Sequence, residues 1–485
     1  SSVLKRGMAA ISDRINQPAG TLVVFNPLNW QRSGFVEVDL PKHFDLVDQV
    51  SGSVVPYQVL SDRPGYQHIR FLAHAVPSVG YKCYRMQLST STPARPQPTT
   101  GATLENAYYR VVLDPESGAV KSIFDKQLNK ELVNGSSPYR FDQYLYVTGG
   151  DKPSRNRLIY SDPGLPLPQL TINNAQNGRL ISVEDTPFGT VAHLESSDTN
   201  TPRIDTDVIL FNSQKRIEFV NHVEKEKVYT KEAAYFAFPL SMDHPQFQYD
   251  LQNGFVNPAQ DLLPGSAKEW FSCQHWVAAD QAGVTAALVP VDAELFTLGD
   301  IVRGKWPLHL GQRQGTIFSY VMNNYWFTNY VAGQGGDFTF RYVFTSGRNL
   351  QPGQLGRLGW EEMTPLETNV IIPNDKETGI SRPQPLSSDE ASFLQVSQPN
   401  VVLVNWKRAE DGHGTILRFL ELAGAQGQVK VQIPILNVQQ AWLCSAMEQN
   451  QEPLSTSAHG VVFPVRPFQI VTVRVIGAAL PHPGS

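Results

Sequence analysis

Aromatic, amide and guanidinium side chains are concentrated between residues 300 and 344. Five of them could contact a ligand: Arg303, Trp306, Asn323, Asn324 and Trp326. An aromatic ring packs against the C–H face of a sugar, while amide and guanidinium groups bond to its hydroxyls. This segment therefore predicts a carbohydrate-binding surface. Aromatic residues in strands belong more often to a hydrophobic core, so that alternative stays open.

Sequence patterns of other catalytic sites are absent. The chain has no Gly-x-Ser-x-Gly elbow, no phosphate-binding loop and no dinucleotide fingerprint. Its 11 histidines are scattered, so we expect this chain to bind no metal. Glycoside hydrolysis needs two carboxylates, one on each side of the scissile bond. Asp142, Glu269 and Asp300 are candidates because aromatic residues stand near them in the sequence. With 45 acidic residues, sequence alone selects no pair, and we assign no catalytic residue.

Composition bears on which partners the chain could bind and on the compartment in which it works. The net charge of -5, without a strong basic run, argues against nucleic acid as a partner. No apolar run reaches the roughly 20 residues of a membrane helix, so we expect no membrane partner. The 3 cysteines are far apart and odd in number, which favours a reducing, cytoplasmic compartment only slightly. The compartment stays undetermined.

Period-two alternation predicts the strands that position the polar and aromatic segment. Phe338, Phe340, Tyr342 and Phe344 should face one side of a strand, with Thr339, Arg341 and Val343 on the other. The main exception is at the start of the chain. There Leu4, Met8, Ile11 and Ile15 recur at helical spacing, and Asn16-Gln17-Pro18 should end the helix.

The order of these patterns predicts an all-β protein with a short N-terminal helix. With 485 residues, about three domains are expected. Pro- and Gly-rich linkers are expected at 90–101 and 350–388. The predicted units are the end of a longer helix from a preceding domain at 1–17, a small β-domain at 18–90, a large sandwich at 104–350 and a compact C-terminal β-domain at 391–478.

Nine strings along the chain carry a likeness to a known family. They are VVFNPLNWQRSGFVEVDLP, LENAYYRVVLDPESGAVKSIFDK, RFDQYLYVTGGD, KEAAYFAFPL, GDIVRGKW, FSYVMNNYWFTNY, GGDFTFRY, HGTILRFLE and VRPFQIVTVRV. In this order the sequence resembles the C-terminal half of α-mannosidases of glycoside hydrolase family 38. The resemblance implies that the large sandwich is a galactose-mutarotase-like β-supersandwich flanked by smaller β-sandwich domains at 18–90 and 391–478. It also implies that the helix at 1–17 is the terminal helix of a preceding helical bundle.

The resemblance also implies where the chemistry lies. In the family, the nucleophile, the acid/base and the zinc ligands belong mostly to an N-terminal catalytic domain. We therefore expect zinc and its His-x-Asp motif outside this chain, and an isolated chain without activity. The implied partners are that N-terminal catalytic domain and an α-mannoside or glycan substrate.

Two other functions stay open. One is a stand-alone, non-catalytic carbohydrate-binding β-protein, which the coding region upstream would distinguish by lacking His-x-Asp and a second Asp motif. The other is an aldose epimerase, which would need a His and Glu pair such as His275 with Glu269.

Overall fold

The computed structural model describes residues 2–89, 96–149, 170–301, 308–324, 333–371 and 386–479. The α-helices in these ranges are α1 (Ser2–Ser12) and α2 (Pro352–Met363), and a 3₁₀ turn spans Pro115–Ser117. Neither helix of the described part is long and apolar enough to cross a membrane.

The remaining regular structure is β-strand. The first strands are β1 (Thr21–Asn26), β2 (Arg32–Pro41), β3 (Phe44–Asp48), β4 (Val54–Val55), β5 (Tyr57–Arg63), β6 (Tyr66–Val76), β7 (Gly80–Leu88), β8 (Gln97–Thr99), β9 (Thr103–Glu105), β10 (Tyr109–Asp114), β11 (Ala119–Asp125) and β12 (Lys130–Glu131). They are followed by β13 (Gln143–Gly149), β14 (Leu170–Asn174), β15 (Gln176–Thr186), β16 (Gly189–Asp198), β17 (Thr201–Phe211), β18 (Ile217–Lys225), β19 (Ala233–Pro239), β20 (Gln246–Leu251), β21 (Gly254–Val256), β22 (Phe271–Ser272), β23 (Val277–Gln281), β24 (Val284–Pro290), β25 (Leu295–Leu298), β26 (Thr316–Asn323) and β27 (Gly336–Arg348). The last are β28 (Glu367–Val370), β29 (Glu390–Ser392), β30 (Gln395–Val396), β31 (Val401–Arg408), β32 (Thr415–Glu421), β33 (Gly427–Gln432), β34 (Leu436–Cys444), β35 (Asn450–Pro453), β36 (Ser455–Ser457), β37 (Gly460–Val465) and β38 (Ile470–Ala479). The all-β fold class is confirmed.

Residue contacts divide the chain into two units. One combines Ser1–Arg95 with Met363–Ser485, and the other is Pro96–Glu362. The sequence predicted boundaries at other positions, and those boundaries remain predictions. Each unit is described by itself below.

The unit Pro96–Glu362 is a large antiparallel β-sandwich. Its ten-stranded sheet has the order β21-β20-β23-β24-β27-β18-β17-β16-β15-β8, and its six-stranded sheet the order β14-β13-β19-β26-β25-β22. A third sheet has the order β12-β11-β10-β9. One hydrophobic core takes side chains from all three sheets, among them Val111, Phe219, Phe236 and Tyr342.

The predicted alternation in β27 is confirmed for its core face. Phe340, Tyr342 and Phe344 lie in the core, and Phe338 packs against it partly buried. On the opposite face Thr339 and Arg341 are exposed, but Val343 is buried. It belongs to a second cluster that α2 covers through Leu355 and Leu358.

The helix α2 corrects the prediction that residues 350–388 are a linker. Pro352 occupies its first position, where a missing N–H costs nothing. The Gln354 side chain accepts a hydrogen bond of 2.9 Å from the Gln351 N–H, which caps the helix start. The glycines that suggested a loop have a packing role, because Gly359 lets the helix approach His275 closely.

The other unit consists of smaller sheets. Near its start, a sheet of order β28-β1-β7-β3-β4, with β29 also paired to β7, lies beside a sheet of order β2-β6-β5. Rings of Phe71 and Tyr84 join them with centroids 5.2 Å apart. The C-terminal sandwich has sheets of order β30-β33-β37-β36 and β31-β32-β38-β34-β35 around its own core.

The N-terminal helix is present but shorter than predicted. It ends at Ser12, whereas the predicted helix included Ile15. Ile15 instead forms a parallel bridge with Leu386, and both side chains are buried with Met8 in one cluster. Pairing with another segment thus takes Ile15 out of the helix just before Asn16-Gln17-Pro18.

Candidate functional site

The predicted residues Asn323 and Asn324 lie at one end of the six-stranded sheet. Asn323 is the last residue of β26, where it pairs with Ala233 at the start of β19. Its backbone N–H donates to Gln334 Oε1 at 3.2 Å. Arg303, Trp306 and Trp326 lie outside the described residues, so their predicted roles remain predictions.

Asn324 fixes the chain segment that precedes β19. Its Nδ2 donates to the carbonyl oxygens of Thr230 and Val228 at 2.8 and 3.3 Å, and its Oδ1 accepts from the Glu232 N–H. Its own N–H donates to the Glu232 carbonyl at 3.0 Å. The side chain is buried, so it acts on this end of the sheet by positioning the segment. Direct contact between Asn324 and a sugar remains a prediction.

A buried ion pair lies next to that segment. Lys225 Nζ, at the end of β18, is 2.8 Å from Glu232 Oε1, and the two side chains are only 1% and 6% exposed. The same ammonium donates to the Glu226 carbonyl at 2.8 Å and lies 5.7 Å from the centroid of the Tyr146 ring. Glu232 Oε2 is buried without a hydrogen-bond partner among the described residues.

A second carboxylate and two tyrosines complete this end of the sheet. Burial raises the pKa of Asp198 to about 6, and its Oδ2 is buried without a partner among the residues described. Asn200 Nδ2 donates to the Tyr146 hydroxyl at 2.7 Å. The Tyr144 hydroxyl is 3.0 Å from Thr201 Oγ1. Burial chiefly raises the pKa of Tyr144, and the charges of Asp198 and Glu232 add to that rise.

We call these residues the end cluster: Tyr144, Tyr146, Asp198, Lys225, Glu232 and Asn324. Its acceptor oxygens and hydroxyls are groups that bind sugar hydroxyls. It does not fit a metal, because no group of three or more His, Cys, Asp or Glu side chains in the described ranges could hold one.

Of the acidic residues that follow or precede aromatic residues in the sequence, Asp142 is bonded to an amide. Asp142 is 2% exposed and accepts hydrogen bonds of 3.1 Å from Asn221 Nδ2 on both carboxylate oxygens. Burial raises the pKa of Asp142 well above its usual value, although the Asn221 bonds oppose this. Glu269 is also buried, and Asp300 is half-buried. No catalytic role follows for them.

The histidine considered for an epimerase is bonded to an aspartate. His275 Nδ1 is 2.6 Å from Asp250 Oδ2, and both residues are buried. Asp250 Oδ1 accepts from the N–H groups of Gln274, His275 and Trp276 at 3.1, 2.7 and 2.9 Å. The ring also contacts Trp360 of α2, with centroids 4.8 Å apart. These contacts give His275 a role in anchoring α2.

One His-x-Asp triplet does occur, contrary to the expectation that the motif lies outside the chain. It is His43-Phe44-Asp45, where β3 begins. His43 is exposed, with a positive φ of 67°, and its carbonyl accepts from the Ser89 N–H. The triplet belongs to no three-ligand group in the part of the chain that the structure describes.

Comparisons with known families agree with this architecture. Residues 104–290 match the glycosyl hydrolases family 38 C-terminal domain, and residues 400–473 match the glycosyl hydrolases family 38 C-terminal beta sandwich domain. The chain belongs to glycoside hydrolase family 38. Of the end cluster, every member except Asn324 lies in the first matched region.

Solved structures show the same fold at low sequence identity. An alpha-mannosidase from Enterococcus faecalis V583 superposes with a TM-score of 0.67 and 14% identity, covering 98% of this chain and 58% of its own. A glycosyl hydrolase family 38 protein from Enterococcus faecalis superposes with a TM-score of 0.67 and 13% identity, covering 98% and 60%. This chain therefore spans about three fifths of these relatives. No curated protein sequence matches it.

Proposed function

We propose that this chain is the C-terminal, β-rich part of a retaining α-mannosidase, where it completes the sugar pocket and supports a catalytic domain outside the chain. The observation that carries this proposal is the match of residues 104–290 and 400–473 to the C-terminal domains of glycosyl hydrolases family 38. Family membership supports it, because the matched family consists of glycosyl hydrolases.

The end cluster would contribute binding and positioning. Glu232 would act by holding this end of the sheet in shape, because its Oε2 is buried and does not face solvent. Lys225 supplies the counter-charge on the other oxygen, so the carboxylate does not move when the sugar binds. The segment bonded to Asn324 sets the position of Glu232 in turn.

Zinc, which the family resemblance implies, does not fit the residues present. The described residues include no three-ligand group, so we propose that zinc binds in the catalytic domain. There it would act as a Lewis acid on the sugar. No reaction step is assigned to this chain.

The isolated chain is expected to show no turnover of an aryl α-mannoside, with or without added zinc. The reason is that the family resemblance implies a nucleophile and an acid/base in a catalytic domain outside this chain, and a glycosidase needs both carboxylates. The measurement is chromophore release by the purified 485-residue chain, compared with the same chain expressed together with its upstream coding region. Zinc-dependent chromophore release by the chain alone would refute the proposal that catalysis belongs to a domain outside this chain.

Asn324→Ala in the whole enzyme is expected to weaken mannoside binding about tenfold, because the segment that positions Glu232 loses three hydrogen bonds. The same direction is expected for Trp326→Ala. Binding would be measured as KM and as the Kd of a non-hydrolysed mannoside, next to Asn437→Ala, which truncates an exposed amide in the other unit. Unchanged affinity in both test variants would exclude this end of the sheet from the pocket.

A further inference from the structure

The unit Pro96–Glu362 also has a small cavity of about 170 Å³. Three segments line it: residues 244–247, which lead into β20, residues 257–260 after β21, and residues 310–313 before β26. Its volume lies below the roughly 300–1,000 Å³ of drug-sized ligand sites. A single sugar ring fits this scale better than an oligosaccharide does.

The cavity is separate from the end cluster. Asn323 pairs with Ala233 where the end cluster lies, while Thr316 pairs with Pro239 at the other end of the same two strands. A strand advances about 3.3 Å per residue, so these two ends are roughly 20 Å apart. The segments 244–247 and 310–313 adjoin the Pro239 end of this strand pair.

The charge of the lining is unbalanced. Arg313 Nε is buried without a hydrogen-bond partner among the described residues. No Asp or Glu is among the described residues that line the cavity, and His244 is a second basic side chain there. His244 Nε2 lies 3.4 Å from Asp243 Oδ1, and the Asp243 side chain is exposed. A guanidinium that is partly desolvated and unpaired is costly, so the cavity favours an anionic ligand.

The rest of the lining suits a hydroxylated ring. Gln246, Gln260 and Gln312 bring side-chain amides, which donate and accept hydrogen bonds. Phe247 and Leu310, which are 3% and 6% exposed, provide an apolar wall. This combination of amides with an apolar surface is typical of small polar ligands that carry C–H faces.

We propose that this cavity binds one sugar acid, a hydroxylated ring with a single carboxylate, and that Arg313 binds the carboxylate. A guanidinium matches a carboxylate with two parallel hydrogen bonds, which a neutral hydroxyl cannot reproduce. Gln246, Gln260 and Gln312 would bond to the ring hydroxyls. The proposal concerns residues away from the end cluster and does not depend on the proposed mannosidase function.

The test is calorimetric titration of the full chain with glucuronate, glucose and acetate. Glucuronate is expected to bind at least about tenfold more tightly than glucose or acetate. Glucose lacks the carboxylate that Arg313 would bind, and acetate lacks the hydroxylated ring. Arg313→Gln is expected to abolish measurable binding. Arg313→Lys is expected to weaken it about tenfold, because an ammonium cannot make the two parallel hydrogen bonds of a guanidinium. Lys121→Gln, which removes an exposed positive charge on β11, should leave it unchanged.

Thermal unfolding of the variants separates binding from a structural role. Arg313→Gln should unfold at the same temperature as the parent or higher, because an unpaired, partly buried charge has been removed. Equal affinity for glucuronate and acetate would overturn the sugar part of the proposal. Glucuronate binding that survives in Arg313→Gln would overturn the site.

Discussion

Glu232→Gln is expected to lower the free energy of unfolding of the unit Pro96–Glu362 by about 3–5 kcal/mol. The substitution keeps the shape of the side chain but removes its charge. Lys225, whose side chain is 1% exposed, would then carry a buried ammonium without a counter-charge. Its bond to the Glu226 carbonyl and its contact with the Tyr146 ring offset only part of that cost.

Hydrogen exchange measured by mass spectrometry can locate this loss. Peptides from β18 and β19 should exchange faster, while peptides from β32 in the other unit serve as an internal reference. Glu410→Gln is the matched control, because Glu410 pairs with Lys407 but is 82% exposed, and its effect should stay below about 1 kcal/mol.

A double variant distinguishes the ion pair from simple packing. Lys225→Met combined with Glu232→Gln removes both charges and should recover part of the stability that Glu232→Gln loses. If Glu232→Gln alone left exchange in β18 and β19 unchanged, the ion pair would have no structural role. The proposed positioning of Glu232 Oε2 would fail with it.

Apart from Asn324, the residues of the end cluster were not predicted, although the alternation in β18 marks two polar residues at buried positions. Ile217, Phe219 and Val223 alternate on its buried face, and the same alternation places Asn221 and Lys225 there. A polar residue at a core position of a strand indicates a buried partner. For Asn221 the sequence could not identify this partner, because it is Asp142, 79 positions away in the chain.

Prediction was accurate where local periodicity determines structure and incomplete where distant segments meet. The core face of β27 follows from alternation alone. Asp142 was correctly noted among aromatic residues, but only the structure shows that Asn221 binds both of its oxygens. Asn323 and Asn324 follow one another in the sequence. Only the structure shows that Asn324 binds Thr230, in the segment just before β19. The sequence therefore pointed to Asn323 and Asn324 at this end of the sheet, but it did not point to the carboxylates Asp198 and Glu232.

The helix α2 shows how tertiary packing overrides composition. Glycine lowers helix propensity by about 1 kcal/mol relative to alanine, so a segment with Gly353, Gly356 and Gly359 looks like a loop. Leu355 and Leu358 nevertheless pack with Trp276, which precedes β23, and with Val343 of β27. That burial offsets the low propensity, and the absence of a side chain at Gly359 permits the close approach.

Gly359→Ala is therefore expected to destabilise α2 by about 2 kcal/mol, although propensity alone predicts a gain of about 1 kcal/mol. An added Cβ would lie 2.4 Å from the Cβ of His275. His275 cannot move aside easily, because Asp250 binds both its ring and its backbone N–H. The helix must shift instead, which weakens the contact between the His275 and Trp360 rings.

Gly7→Ala in α1 is the matched control, since nothing lies within 4 Å of the position of its added Cβ. That variant should gain about 0.5–1 kcal/mol, because only helix propensity changes. Hydrogen exchange of α2 peptides and denaturant midpoints would be compared for both variants. Opposite signs at the two glycines would show that packing against His275 determines the residue at position 359. A stabilised Gly359→Ala would mean that α2 is not docked as tightly as the structure has it.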